Sequence, residues 1–96
     1  MADMILTENP NHPGKTYPVD AAKYGAMRAA MLQALPTEGP GLAVPALKAT
    51  LLPLLPDPLF PGGATAGWWL KCVQLDLEAK GLIVRAAGSP VRLRRC

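Results

Sequence analysis

Three side chains of this sequence are of types that take part in nucleophilic catalysis, namely His12, Cys72 and Asp76. Such catalysis requires a nucleophile, a base and an orienting group that converge in the fold. His12 is the single histidine and lies among prolines and asparagines, far along the chain from the other two, and no motif links the three. Two cysteines and one histidine also make neither a disulfide framework nor a zinc set. We therefore expect no catalytic residue, metal site or cofactor, and the sequence identifies no small-molecule substrate.

The segment PGGATAG, residues 61–67, places glycines just before a predicted helix. Backbone N–H groups at a helix N-terminus can bind an anion. The segment lacks the lysine that completes a nucleotide-binding P-loop. Two interpretations remain. The glycines form a turn, which we favour, or the backbone N–H groups of the segment bind a backbone phosphate of DNA.

The composition predicts a single folded domain. Of the 96 residues, 50% are hydrophobic and 18% are charged, a balance typical of globular proteins. No apolar run reaches the roughly 20 residues that span a bilayer. The N-terminus MADMILTENPNHPG lacks the basic and apolar regions of a signal peptide. We expect a cytoplasmic protein with no membrane partner.

The net charge of +3 is unevenly distributed. Residues 1–60 contain four basic and five acidic side chains, whereas the segment after Gly81 contains four arginines and no acid. Such a basic tail can attract phosphate. It can equally be a solvated edge strand whose charges prevent aggregation.

The secondary structure that positions these residues can be predicted from the prolines, the helix caps and the spacing of apolar residues. Pro10, Pro13 and Pro18 favour an irregular N-terminal arm over residues 1–18, followed by one domain over residues 19–96. A first helix over residues 21–35 begins after Asp20 as N-cap and stops before Pro36. A second helix begins near Pro45 and is ended or kinked by Pro53.

A third helix is predicted from Thr65 as N-cap to Gly81. Strands over residues 82–86 and 91–95 follow, joined by a Gly88-Ser89-Pro90 hairpin loop, and a one-bridge strand is expected at residues 42–43. The inner stripe of the third helix is expected to pack on the first two helices. The contacts predicted are those of Leu70, Val73 and Leu77 with Met27, Met31, Leu47 and Leu51.

The segment DLEAKGLIVR, residues 76–85, resembles the end of the third helix and the first wing strand of winged helix-turn-helix domains. The resemblance implies an α+β fold, with a three-helix core and a two-stranded β-hairpin wing. With NPNHPGK, VDAAKY and GGATAGWW, the whole chain also resembles a small family of uncharacterised bacterial proteins. That family implies no established activity.

The outward face of the third helix separates two functional hypotheses. It holds Trp68, Cys72, Leu75 and Ala79, whereas base reading favours polar side chains. An apolar stripe with a tryptophan favours burial. We therefore expect this face to be covered, either by Ile5 and Leu6 of the arm or by another subunit.

The first hypothesis is an interaction module that contacts a protein partner or forms a homodimer through this helix. The alternative is a nucleic-acid-binding transcriptional regulator that uses the basic wing and the start of the third helix. The candidate DNA contacts are Thr65, Lys71, Gln74, Arg85, Arg92, Arg94 and Arg95.

Overall fold

A computed structural model describes residues 3–86 and 91–95 of the chain. The fold of these residues is α+β, as expected, with three α-helices and two small antiparallel sheets. In chain order the elements are β1 (Met4–Glu8), β2 (Thr16–Asp20), α1 (Ala21–Ala34), β3 (Leu42–Ala43), α2 (Val44–Leu51), α3 (Ala66–Ala79), β4 (Ile83–Arg85) and β5 (Arg92–Arg95).

The N-terminal arm is a β-hairpin, so the expectation of an irregular segment over residues 1–18 is wrong for its described part. β1 pairs antiparallel with β2, in a register that places Ile5 opposite Val19 and Leu6 opposite Pro18. The Ala21 N–H donates to the Asp3 carbonyl at 2.9 Å. Because hydrogen-bonded and non-hydrogen-bonded pairs alternate along an antiparallel ladder, the odd-numbered residues of β1 are in hydrogen-bonded pairs and the even-numbered ones are not. Pro18 pairs with Leu6 in a non-hydrogen-bonded pair, so the ladder requires no N–H from Pro18 and its ring does not break the pairing.

The three helices enclose the hydrophobic core, and the predicted contacts involve buried residues. Helix α1 begins as expected, because the Asp20 carboxylate accepts a hydrogen bond from the Lys23 N–H at 3.0 Å. Helix α2 ends in a short 3-10 turn over Leu52–Leu54, which contains Pro53. The predicted inner stripes are buried, namely Leu70, Val73 and Leu77 of α3 with Met27, Met31, Leu47 and Leu51.

The C-terminal strands form the second sheet in the order β3-β5-β4, which confirms the short strand at Leu42–Ala43. Gly81, at φ +75°, ends the preceding helical segment, and the Leu82 N–H then donates to the Leu77 carbonyl at 2.9 Å. Leu93 at the centre of β5 is fully buried and ties the sheet to the helices.

The predicted Gly88-Ser89-Pro90 loop lies outside the described residues. Among the residues described, no helix is both long and apolar enough to cross a bilayer.

Candidate interaction site

The turn before α3 supports the structural interpretation of its glycines. Thr65 precedes the helix but adopts a left-handed conformation at φ 60° and makes no side-chain cap, so its predicted capping role is wrong. Its hydroxyl donates instead to the Ala64 carbonyl at 2.6 Å. Within the turn, the Gly62 N–H donates to the Asp57 carboxylate at 3.2 Å. An acidic side chain of the protein therefore already satisfies one amide of this segment.

The hairpin is fixed to α3 by the carboxylate of Asp76, which is fully buried. One oxygen, Oδ1, accepts a hydrogen bond from the Glu8 N–H at 2.8 Å. The other, Oδ2, accepts from the Tyr24 hydroxyl and from Lys80 Nζ, the latter at 2.9 Å. A buried carboxylate is tolerated when it is paired and hydrogen-bonded in this way. Asp76 thus joins the hairpin, α1 and α3 at one point.

Both outer edges of the hairpin are protected from pairing with another strand. On the β1 edge, Asp76 occupies the outward N–H of Glu8. On the β2 edge, Pro18 lies in the middle of the strand and has no N–H to offer. Prolines and covering elements are common ways in which proteins protect exposed edges. The hairpin can therefore take part in contacts through its side chains more readily than through its backbone.

A cleft of about 380 Å³ opens between the hairpin and the outward face of α3. Its volume lies in the range of ordinary ligand and side-chain pockets. Both elements contribute to its lining, in which the apolar side chains Val19, Trp68 and Leu75 lie together with polar ones. The residues that line the cleft are Thr7, Glu8, Asn9, His12, Tyr17, Val19, Trp68, Lys71, Cys72 and Leu75.

Trp68 lies at this cleft and is 60% exposed, so the expectation that it is covered is wrong for the single chain. The hairpin approaches α3 from the side of Cys72 and Asp76, which leaves Cys72 and Leu75 half-buried and Trp68 open. The Trp68 ring packs edge-on against buried Trp69, with ring centroids 5.0 Å apart and an interplanar angle of 82°. This contact holds an exposed aromatic ring in place.

The two arm residues expected to cover α3 differ in their placement. Ile5 is half-buried and packs against the core, and it is not among the residues that line the cleft. Leu6 points to the opposite face of the hairpin and is 57% exposed, so it does not cover α3. Successive side chains of a strand alternate between its two faces, which accounts for the difference.

The thiol of Cys72 lines the cleft without the features of a reactive cysteine. Burial raises the pKa of Cys72, a hydrogen bond with Thr7 opposes that shift, and the nearby charge of Asp76 adds to it. Because the thiolate is the nucleophile, a raised pKa lowers reactivity at neutral pH. In the part of the chain that the structure describes, no three histidine, cysteine, aspartate or glutamate side chains lie close enough to hold a metal ion.

Several of the candidate DNA contacts are engaged within the protein. Gln74 is buried and its amide donates to Glu78 at 3.3 Å, so its expected exposure is wrong. Arg85 donates twice to the Glu78 carboxylate, at 3.0 and 3.2 Å. The Arg95 guanidinium donates to the Leu35 carbonyl at 3.1 Å and so fixes β5 to the end of α1.

Three basic candidates remain accessible. Lys71 is exposed at the cleft, and Arg92 and Arg94 are partly exposed on β5. Leu93, between the two arginines, is buried, so Arg92 and Arg94 project from the other face of the sheet. None of the three forms an ion pair with an acid among residues 3–86 and 91–95.

Sequence reasoning missed Asp76 as a structural anchor and left the direction of the Tyr17 side chain undefined. The signal for Asp76 was its position between Val73 and Leu77 on the buried side of α3. An acid at such a position needs partners. Tyr17 was assigned to an arm without regular structure, so its strand-dependent direction could not be predicted.

Comparison with known proteins gives a family but no activity. No curated protein and no solved structure matches the chain. A family model matches residues 4–93, which include the hairpin, the helices and most of the second sheet. The chain therefore belongs to a family of unknown function, DUF6958.

Proposed function

We propose that this protein is a protein-interaction module whose binding surface is the cleft between the N-terminal hairpin and α3. The observation that supports this most strongly is the exposure of Trp68, at 60%, beside that cleft. A large exposed aromatic side chain is costly to leave in water and is among the residue types most enriched at the centres of interfaces.

The surroundings of Trp68 favour binding rather than mere exposure. The edge-on contact with Trp69 limits the freedom of the ring, so little entropy remains to be lost when a partner covers it. Tyr17, a second aromatic residue, lines the same cleft and is 41% exposed. Rigid aromatic side chains beside a concave apolar surface are typical anchors of protein contacts.

We further propose that the scaffold of this module is a winged helix. The order α1, β3, α2, α3, β4, β5 and the pairing of β3 with β5 support the assignment. In such a scaffold α3 would be the helix that reads DNA. Here the hairpin packs against one side of α3 through Asp76, and the exposed centre is apolar, which favours a protein partner over a DNA groove.

Photo-crosslinking in the protein's host tests the module directly. A benzophenone amino acid replaces Tyr17, a conservative aromatic exchange within the cleft, and in a matched control it replaces Thr50, an exposed residue of α2. We expect a protein adduct of defined mass from position 17 and none from position 50. Equal labelling from the two positions, or no adduct from position 17, would contradict the proposal.

Nucleic-acid binding by the second sheet is the alternative function. The observation in its favour is that Arg92 and Arg94 project from one face of β5 without an acidic partner among the described residues. Replacing both with Ala should weaken binding to duplex DNA on all sequences alike and reduce the salt slope by about 1 per lost contact. Arg85→Ala is the matched control, because Arg85 is already paired with Glu78. An absence of DNA binding by the wild type at low salt would end this alternative.

A further inference from the structure

We infer that the occupant of the cleft is the Trp68 side chain of a second copy of this chain. Each copy of the resulting two-fold dimer inserts its tryptophan into the cleft of the other. This inference rests on the proposed function, because it names the partner of the same surface.

Trp68 and the cleft lie on one face of the molecule. Trp68 is 60% exposed, and it borders the cleft of about 380 Å³ that the hairpin and α3 enclose. In a two-fold interface the same patch serves both subunits, so each patch must be complementary to itself. A ring beside a concave surface large enough to admit one satisfies that condition, and both tryptophans become buried in one step.

The charges around the cleft also favour a second copy. Lys71 lines the cleft on α3, and Glu8 borders it at the last position of β1, where its exposed side chain lies on the same strand face as Leu6. Neither forms an ion pair with another residue of the described parts of the chain. A partner surface with charges of one sign could pair with only one of these two side chains. The other would be unpaired or would face a like charge, which is unfavourable at an interface. A second copy supplies the opposite charge to each, Glu8 to Lys71 and Lys71 to Glu8.

The outer edges of the hairpin do not offer two copies another way to associate. Strand-to-strand pairing of two hairpins would need a free edge, but Pro18 interrupts one edge and Asp76 binds the Glu8 N–H on the other. Contact through side chains at the cleft is therefore the route that the hairpin leaves open.

Sedimentation of the full chain over a range of concentrations tests the dimer. The wild type should shift toward twice its mass of 10.1 kDa as concentration rises. Trp68→Ala should raise the dimer dissociation constant by roughly thirtyfold or more, the scale of a hot-spot tryptophan. Its thermal unfolding midpoint should stay close to that of the wild type at low concentration, because an exposed side chain contributes little to the fold.

Charge reversal gives a second test that does not depend on Trp68. Lys71→Glu and Glu8→Lys should each weaken self-association about tenfold, because like charges then meet twice in each dimer. An equimolar mixture of the two variants should restore association, since both contacts are again between opposite charges. Lys48→Glu is the matched control, because Lys48 is exposed on α2 and does not line the cleft.

The outcomes separate this inference from the proposed function. A wild-type chain that stays monomeric at every concentration, or dimers that are indifferent to Trp68→Ala, would overturn the second-copy assignment. A crosslink from position 17 to a different protein would then leave the interaction module standing. A failure of the mixture to associate better than either variant alone would likewise overturn the reciprocal geometry.

Discussion

The backbone N–H of Glu8 and the carboxylate of Asp76 are joined by a hydrogen bond of 2.8 Å, across 68 positions of the chain. Through this bond the end of β1 is held against α3, and the cleft that we assign to partner binding takes its shape. The same carboxylate binds Tyr24 of α1 and Lys80, so the position of the hairpin depends on one buried acid.

Asp76→Ala should therefore lower the free energy of unfolding by about 2–5 kcal/mol, because it leaves buried donors without an acceptor and Lys80 without its charge partner. Urea unfolding measures the loss, and hydrogen exchange should show faster exchange of the Glu8 amide. Arg85→Ala is the control, since it breaks only the more exposed pair with Glu78, leaves the Gln74 contact of Glu78 in place and should cost about 0–1 kcal/mol. Equal losses in the two variants would contradict the anchoring role of Asp76.

Tyr24 gives the molecule a predictable response to alkaline pH. Burial raises the pKa of Tyr24 above its usual value of 10.0, and the hydrogen bond to Asp76 and the charge of that carboxylate raise it further. The folded state therefore keeps a proton that the unfolded chain releases above about pH 10. The stability that depends on this proton is complete below that pH and is lost as the pH rises toward the folded-state pKa.

Tyr24→Phe isolates this effect. The variant should be less stable than the wild type at neutral pH by about 1.5–3 kcal/mol, the contribution of a hydrogen bond to a charged group. Above about pH 10 the difference between the two proteins should shrink. Urea unfolding of both proteins at neutral and alkaline pH measures it. A difference that stays constant with pH would show that Tyr24 does not titrate in this way.

Gly41 is required where the chain enters the second sheet. Its φ is +89°, and a Cβ at this position would lie 2.6 Å from the Leu93 carbonyl oxygen, which belongs to the central strand β5. Gly39, at φ +78°, has open space around the same position and provides the control. Gly39→Ala should cost about 1–2 kcal/mol, the strain of a left-handed conformation. Gly41→Ala should destabilise the protein clearly more, because the β5 backbone must also move, and thermal unfolding of the two variants measures the difference. Equal losses of stability would contradict the close contact between Gly41 and Leu93.

The helices and the second sheet could be predicted because their signals are local. Asp20 before α1 and Gly81 after α3 mark ends through hydrogen bonds and backbone conformations that involve only nearby residues. The hairpin could not be recognised in this way. Pro18 is a strand breaker unless it lies on an outer edge, and that depends on its pairing with Leu6, which is set by tertiary structure.

The prediction of the candidate site failed in part because the packing of the hairpin on α3 could not be predicted. Without the hairpin, the outward face of α3 was predicted as a whole to be covered, whereas the structure covers the side of Cys72 and leaves Trp68 exposed. Gln74 was named as a candidate DNA contact for the same reason, although it is buried. Helical periodicity gives the direction of each side chain, but the direction from which a distant segment packs is a long-range property.

The two faces of β1 provide the last prediction, because neighbouring residues of similar chemistry have opposite environments. Ile5 is half-buried against the core, and Leu6 is 57% exposed on the other face. Ile5→Ala should lower the free energy of unfolding by about 1–2 kcal/mol, less than the 2–5 kcal/mol of a fully buried Ile. Leu6→Ala should change it by no more than about 0.5 kcal/mol, as at other surface positions. A shift of the register by one residue would exchange the two side chains between the faces. Urea unfolding of the two variants therefore reports the register directly, and a larger loss for Leu6→Ala than for Ile5→Ala would show that β1 pairs with β2 in a different register.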